Sequence, residues 1–125
     1  MAIRTELRLR LPNSPGALAQ LTALLTQDHV RVIAFSLEST GHVHLVVDNV
    51  SRATDVLSRH HLQAESRDVL CTVVGPRSVA PLLTTAATAD LNLEYAYASS
   101  VDGKGTMALV LAFEDTLRAA TIIGL

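Results

Sequence analysis

Tryptophan is absent, and two tyrosines and two phenylalanines are the whole aromatic complement, 3% of the chain. With 10 Lys and Arg against 12 Asp and Glu, a formal charge of −2, the sequence has neither the basic stripe nor the stacking rings that a nucleic-acid surface needs. Cysteine occurs once, at Cys71, which excludes an intrachain disulfide or a thiolate metal cluster and fits a reducing cytosol. No apolar run approaches membrane-spanning length. The first residues, with Arg4, Glu6, Arg8 and Arg10 among them, lack the apolar core of a signal peptide. The expectation is a soluble cytoplasmic protein with no nucleic-acid or membrane partner. Apolar residues are what it has in quantity: 49% of 125 residues, enough for a core in one ordinary domain or two very small ones.

The chain is written twice. A shift that lays Pro76 on Pro15 also lays Val79 on Leu18, Leu82 on Leu21, Leu91 on Val30 and Leu93 on Val32. Arg118 and Ala119 match Arg52 and Ala53 once a longer glycine-containing hairpin before Thr106 is allowed for. Such a repeat implies two copies of one supersecondary unit.

In the first copy, Leu7, Leu9 and Leu11 alternate with Glu6, Arg8 and Arg10, the pattern of a strand with one wet face. Ser14 then suits an N-cap and Pro15 a first helical position. Leu18, Leu21, Leu24 and Leu25 follow at helical spacing as far as Asp28. Strands are expected from Val30 to Glu38 and from His42 to Asp48, with a turn at Ser39, Thr40 and Gly41. A second helix, capped near Asn49 or Ser51, carries Ala53, Val56 and Leu57. The order is βαββα.

Leu62 to Val74 must close the first unit as its fourth strand and also open the second, so one long or kinked strand is expected and no flexible linker. The second helix follows Gly75 and Pro76, with Ser78 as cap and Pro81 in the first turn, where a missing N–H is tolerated. Strands Asn92 to Ser100 and Thr106 to Phe113, a hairpin through Asp102 to Gly105 and a short helix from Asp115 complete the chain. The second unit lacks a last strand. The fold class is therefore α+β: a ferredoxin-like βαββαβ unit in tandem, residues 1–67 and a truncated 68–125, with helices on one face of an antiparallel sheet. The other face presents Arg8, Arg10, His42, His44 and Asp48 in the first half. In the second half both faces are apolar, which suggests a covering partner, most simply a second copy of the chain.

A βαββαβ unit with Asn13, Ser14, Pro15, Gly16, Ala17 and Leu18 between its first strand and first helix resembles the ACT domain family. The resemblance spans the first unit and, more weakly, the second. It implies a regulatory, allosteric module that binds a small effector, commonly an amino acid, and it brings no catalytic chemistry and no cofactor. The residues it implies for ligand contact are Leu11, Asn13, Ser14, Pro15, Gly16, Ala17 and Leu18, with Asn92 from the second copy. Relatives pair two units side by side, so Asn13 and Asn92 are expected to share one site. The reciprocal site, with Val74, Gly75, Pro76 and Arg77 in place of the turn motif and Arg31 in place of Asn92, looks damaged. One ligand per chain and two per homodimer are expected.

The turn chemistry agrees with that implication. Gly16 lets backbone approach a ligand, the helix start suits a carboxylate, and Asn13 both donates and accepts. The plainer reading is a strand-to-helix turn, where Asn, Ser, Pro and Gly are common for local reasons. Asn92 suits an exposed strand start equally well. His42 and His44 share a strand face but have no third metal ligand nearby. His60 and His61 close a helix, Cys71 suits a small core residue, and Gly103 to Gly105 suit a hairpin tip because no helix follows them. The leading reading is a non-enzymatic amino-acid sensor that acts through a separate enzyme or regulator. A docking subunit of a biosynthetic enzyme is the alternative, and an enzyme, lacking an assembled base, nucleophile or metal set, is third.

Overall fold

The computed structural model describes residues 2–100 and 105–124. The elements run β1 (Ala2–Arg10), α1 (Ala17–Gln27), β2 (Val32–Leu37), β3 (His42–Val47), α2 (Val50–Arg59), β4 (Glu65–Val74), a 3-10 turn (Pro76–Ser78), α3 (Val79–Thr88), β5 (Leu93–Ser100), β6 (Met107–Phe113) and α4 (Thr116–Ile123). They divide into two compact units, Thr5–Arg67 and Met1–Arg4 with Asp68–Leu125.

In the first unit β3 lies between β2 and β1, antiparallel to both, with Leu7 opposite Leu45 and Leu9 opposite Val43. The alternation in β1 puts Leu7 and Leu9 on the face that α1 and α2 cover. Leu21 and Leu25 of α1 and Ala53 and Leu57 of α2 meet them in one core. Each fully buried leucine there contributes about 1.5–3 kcal/mol. The Asn49 side chain caps α2 by accepting from the Arg52 N–H at 3.0 Å, satisfying one of the N–H groups that a helix start leaves open.

The opposite face of this unit departs from the wet surface that the charges suggest. Arg8 and Arg10 are exposed, but Glu6 and Val46 are 0% and His44 3% exposed. Burial is tolerable because the two polar residues bond to each other, His44 Nδ1 to Glu6 Oε1 at 3.1 Å, so neither is taken out of water unpartnered.

In the second unit β6 lies between β4 and β5, with Leu70 opposite Leu111 and Tyr97 opposite Val110. Leu70, Leu109, Leu111 and Phe113 pack with Ala86 of α3 and Ala119 and Ala120 of α4. Asp115 caps α4 through the Arg118 N–H at 3.0 Å. Val69, Cys71, Ala108, Val110 and Ala112, on the other face, are also buried within the single chain, while Val73 is 59% exposed. Most of the face expected to meet a second copy is therefore already buried. The hairpin tip expected at Asp102 to Gly105 lies outside the described residues except for Gly105.

The second repeat's own sequence supplies no last strand, but Ala2–Arg4 of β1 belong to this unit and β1 neighbours β4. The chain's first strand therefore fills the fourth position of the second unit. Reciprocally, Glu65–Arg67 of β4 belong to the first unit and complete its sheet beside β1. β1 begins four residues before the alternating Glu6–Leu11 stretch for this reason: residues 2–4 are ordered by strand pairing and not by a buried face of their own.

Candidate functional site

The segment between β1 and α1 is held by two backbone features. The Leu11 N–H donates to the Gly41 carbonyl at 2.8 Å, pinning the turn against the β2–β3 hairpin. Gly41 has φ +91°, and a Cβ built there would collide with the Leu11 carbonyl oxygen. Both the left-handed backbone and the close approach require glycine at this position.

The start of α1 differs from the sequence expectation. Ser14 and Pro15 do not begin the helix. Gly16 is the N-cap residue, at φ +84° and with no side-chain cap, and the helix starts at Ala17. The Ser14 N–H donates to the Pro12 carbonyl at 2.9 Å and the Ala17 N–H to the Ser14 carbonyl at 3.3 Å, so a tight turn uses these residues and the left-handed glycine resets the direction. Among the described residues nothing accepts from the N–H groups of Leu18 and Ala19, and the first turn carries no acidic side chain. The open helix end carries about half a positive charge.

These residues line a cleft of about 410 Å³ within the first unit. Leu11, Asn13, Ser14, Gly16, Ala17 and Leu18 form one side, and Leu37, Glu38, Ser39 and Gly41 the other. Pro15 lies in the turn but does not line the cleft. The Asn13 side chain is exposed and has no hydrogen bond among the described residues. Asn92 belongs to the second unit, where its amide donates to Glu114 Oε2 at 3.2 Å and its carbonyl accepts from the Glu114 N–H at 3.0 Å. It lines a different cleft, with Asp90, Glu114 and Arg118. The structure thus gathers six of the eight residues named from the sequence.

Glu38 is the wall residue that sequence reasoning missed. The signal was the turn predicted at Ser39 to Gly41, whose Gly41 meets Leu11 at the end of β1. Glu38 Oε1 lies 3.3 Å from His44 Nε2, the ring whose other nitrogen faces Glu6. This arrangement also occupies both nitrogens of His44, while His42 Nδ1 pairs with Thr40 Oγ1 at 2.8 Å. No group of three His, Cys, Asp or Glu able to hold a metal occurs among the described residues.

Cys71 is buried, and burial pushes its thiol above the usual range, with nearby Arg4 opposing. A titration raised in the folded state adds stability below the ordinary thiol range, and that stability is lost as pH rises through the raised value. The native protein should therefore alkylate slowly with iodoacetamide at pH 8 and rapidly once unfolded in urea. Equal rates in the two states would show the thiol to be accessible.

With this geometry, the chain is similar in fold to several solved structures. A protein of Bacteroides thetaiotaomicron matches at TM-score 0.83 and 17% identity over 97% of this chain and 86% of that one. The regulatory subunit of aspartate kinase from Thermus thermophilus matches at TM-score 0.67 and 17% identity over 98% of this chain and 92% of that one. Escherichia coli aspartokinase III in complex with lysine and aspartate matches at TM-score 0.60 and 17% identity over 98% of this chain and 31% of that one. No protein-family profile and no curated protein matches the chain. The fold is that of the ACT-type regulatory domains of aspartate kinase. No described helix is long and apolar enough to cross a membrane.

Proposed function

We propose that this protein is a non-enzymatic regulatory module that binds a free amino acid in the cleft beside Gly16 and passes that state to another polypeptide. The observation that carries the reading is the uncapped start of α1 lining a concave site. The unpaired N–H groups of Leu18 and Ala19 suit a carboxylate, and Asn13, with an uncommitted amide, can donate to it or accept from an ammonium. Leu11 and Leu37 supply apolar wall. The fold shared with the regulatory subunits of aspartate kinase supports the regulatory role.

Thermal melts against each of the twenty amino acids test this. Ligand at a hundred times its dissociation constant adds about 2.7 kcal/mol, and one chemically related group of amino acids should raise the melting temperature clearly. Gly16→Val should remove most of that response. A Cβ at Gly16 meets nothing within 4 Å, so the variant acts by forcing a β-branched residue into a left-handed conformation, at a cost of about 1–2 kcal/mol, and so shifting the turn. No shift with any amino acid would reject the reading.

A second reading has its own observation. β2 is the outer strand of the first unit's sheet, and Phe35 and Leu37 on it are 45% and 48% exposed. A chain that docks a catalytic polypeptide there would show no amino-acid response alone and would gain one when that polypeptide is added.

A further inference from the structure

The strand register sorts the residues around the first unit's cleft onto the two faces of the sheet. Leu37 stands opposite Val43, and Val43 lies in the core under α1 and α2 with Leu11, against which Leu18 packs. Side chains directly opposite in a ladder share a face, so Leu37 is on the helix-covered side, where α1 begins. Glu38 is the one ionisable residue lining the cleft, and its carboxylate goes the other way. Its Oε1 lies 3.3 Å from His44 Nε2. His44 falls between Val43 and Leu45, both in the helix-covered core, and so projects from the opposite face, where Glu6 lies 3.1 Å away. Among the described residues, the lining therefore has no charged side chain on the helix-covered side, and α1 has none from Ala17 to Gln27.

What lines that side is apolar. Leu11 is buried, Leu18 half-buried and Leu37 48% exposed, so an aliphatic surface stands open beside the start of α1. The two ends of a zwitterion can use Asn13, Ser14 and the open N–H groups of Leu18 and Ala19. The leucines are left for the rest of the molecule. Apolar walls with a few polar groups that fix orientation are the usual composition of a small-molecule site, and about 410 Å³ falls at the small end of the usual range of about 300–1,000 Å³. An ionised side chain laid among these leucines would lose water and gain no counter-ion, which is costly. One long enough to reach back to water would leave the leucines uncovered.

We infer that the cleft selects amino acids with an uncharged aliphatic side chain and that Leu37 is a specificity-determining wall. The inference rests on the amino-acid reading of the cleft and narrows it. Leu37 is suited to the test because it is half exposed on an outer strand, so replacing it leaves the core as it was.

The experiment is titration calorimetry of the full chain with L-amino acids of like length: leucine with asparagine and aspartate, methionine with glutamine and glutamate, norleucine with lysine. The best-bound aliphatic member should exceed its polar and charged counterparts about tenfold or more, the scale on which an apolar pocket discriminates a single methylene. Leu37→Thr, which keeps a strand-forming residue, should shrink that margin severalfold. Affinity for alanine, which offers little side chain to the wall, should stay within about twofold, the scale of a neutral surface change. Leu37→Lys places a cation at the wall and should raise aspartate and glutamate relative to leucine and methionine. A wild type that binds the polar or charged members as well as the aliphatic ones overturns the inference and leaves the amino-acid reading intact. So does Leu37→Thr with an unchanged margin, or with an equal loss for alanine and the longer side chains. A wild type that binds no amino acid overturns both.

Discussion

Truncating Glu6 to alanine is expected to lower the free energy of unfolding by at least about 1–3 kcal/mol, the cost of leaving a buried polar partner unsatisfied. Glu6 has no exposed surface, and His44, which it holds at 3.1 Å, is 3% exposed. Without the carboxylate, the imidazole keeps its burial and loses its deep partner, and a cavity opens between β1 and β3. Small domains are stable by about 5–15 kcal/mol in total, so the loss is a large fraction of the whole. Replacing both residues by leucine should recover much of it, because two apolar side chains need no partner. Urea unfolding followed by circular dichroism checks both. A Glu6→Ala cost under about 1 kcal/mol, below the range for an unsatisfied buried group, would mean that the pair is hydrated in solution.

Phe113→Ala should cost about 3–5 kcal/mol. Phe113 is 1% exposed, ends β6 opposite Leu93, and packs in the core formed with Leu70, Leu111 and Ala119. Backbone at a strand end, paired on one side by β5, cannot collapse freely into the space left by a ring, so the cavity term adds to the lost transfer energy. Hydrogen exchange should show protection falling first in α3, β5, β6 and α4. Leu25→Ala, at a fully buried position of the other core, should cost about 2–5 kcal/mol and weaken α1 and β3 first. Uniform loss throughout the chain in both variants would show that the two units unfold only together.

Much of this architecture is legible because it depends on neighbours in sequence. The alternation of Leu7, Leu9 and Leu11 marks the helix-covered face, the stripe through Leu21 and Leu25 marks α1, and the caps at Asn49 and Asp115 fall where short polar side chains precede apolar helical periods. The turn from Asn13 to Leu18 is visible for the same reason, and it does line a cleft. Its details are not. Ser14 and Pro15 have the right chemistry to open a helix, yet the left-handed backbone of Gly16 places the start at Ala17, since a tight turn competes for the same carbonyls.

Glu38 and the burial of Glu6 and His44 left no local trace. An alternating charged face looks wet in any one strand, and only the meeting of residues from β1, the end of β2 and β3 turns Glu6, Glu38 and His44 into a bonded set.

Periodicity, capping chemistry and turn glycines by themselves determined that this protein would build two like α+β units with a glycine-bearing bend before the first helix, because each acts over a few residues. Tertiary structure alone decided that the chain's first residues complete the second unit's sheet, that a carboxylate and an imidazole are buried together on the first unit's other sheet face, and that Asn92 bonds Glu114. Those outcomes follow from hydrogen-bond partners far apart along the chain, and backbone and side-chain groups record no preference for a distant partner until folding brings it within reach.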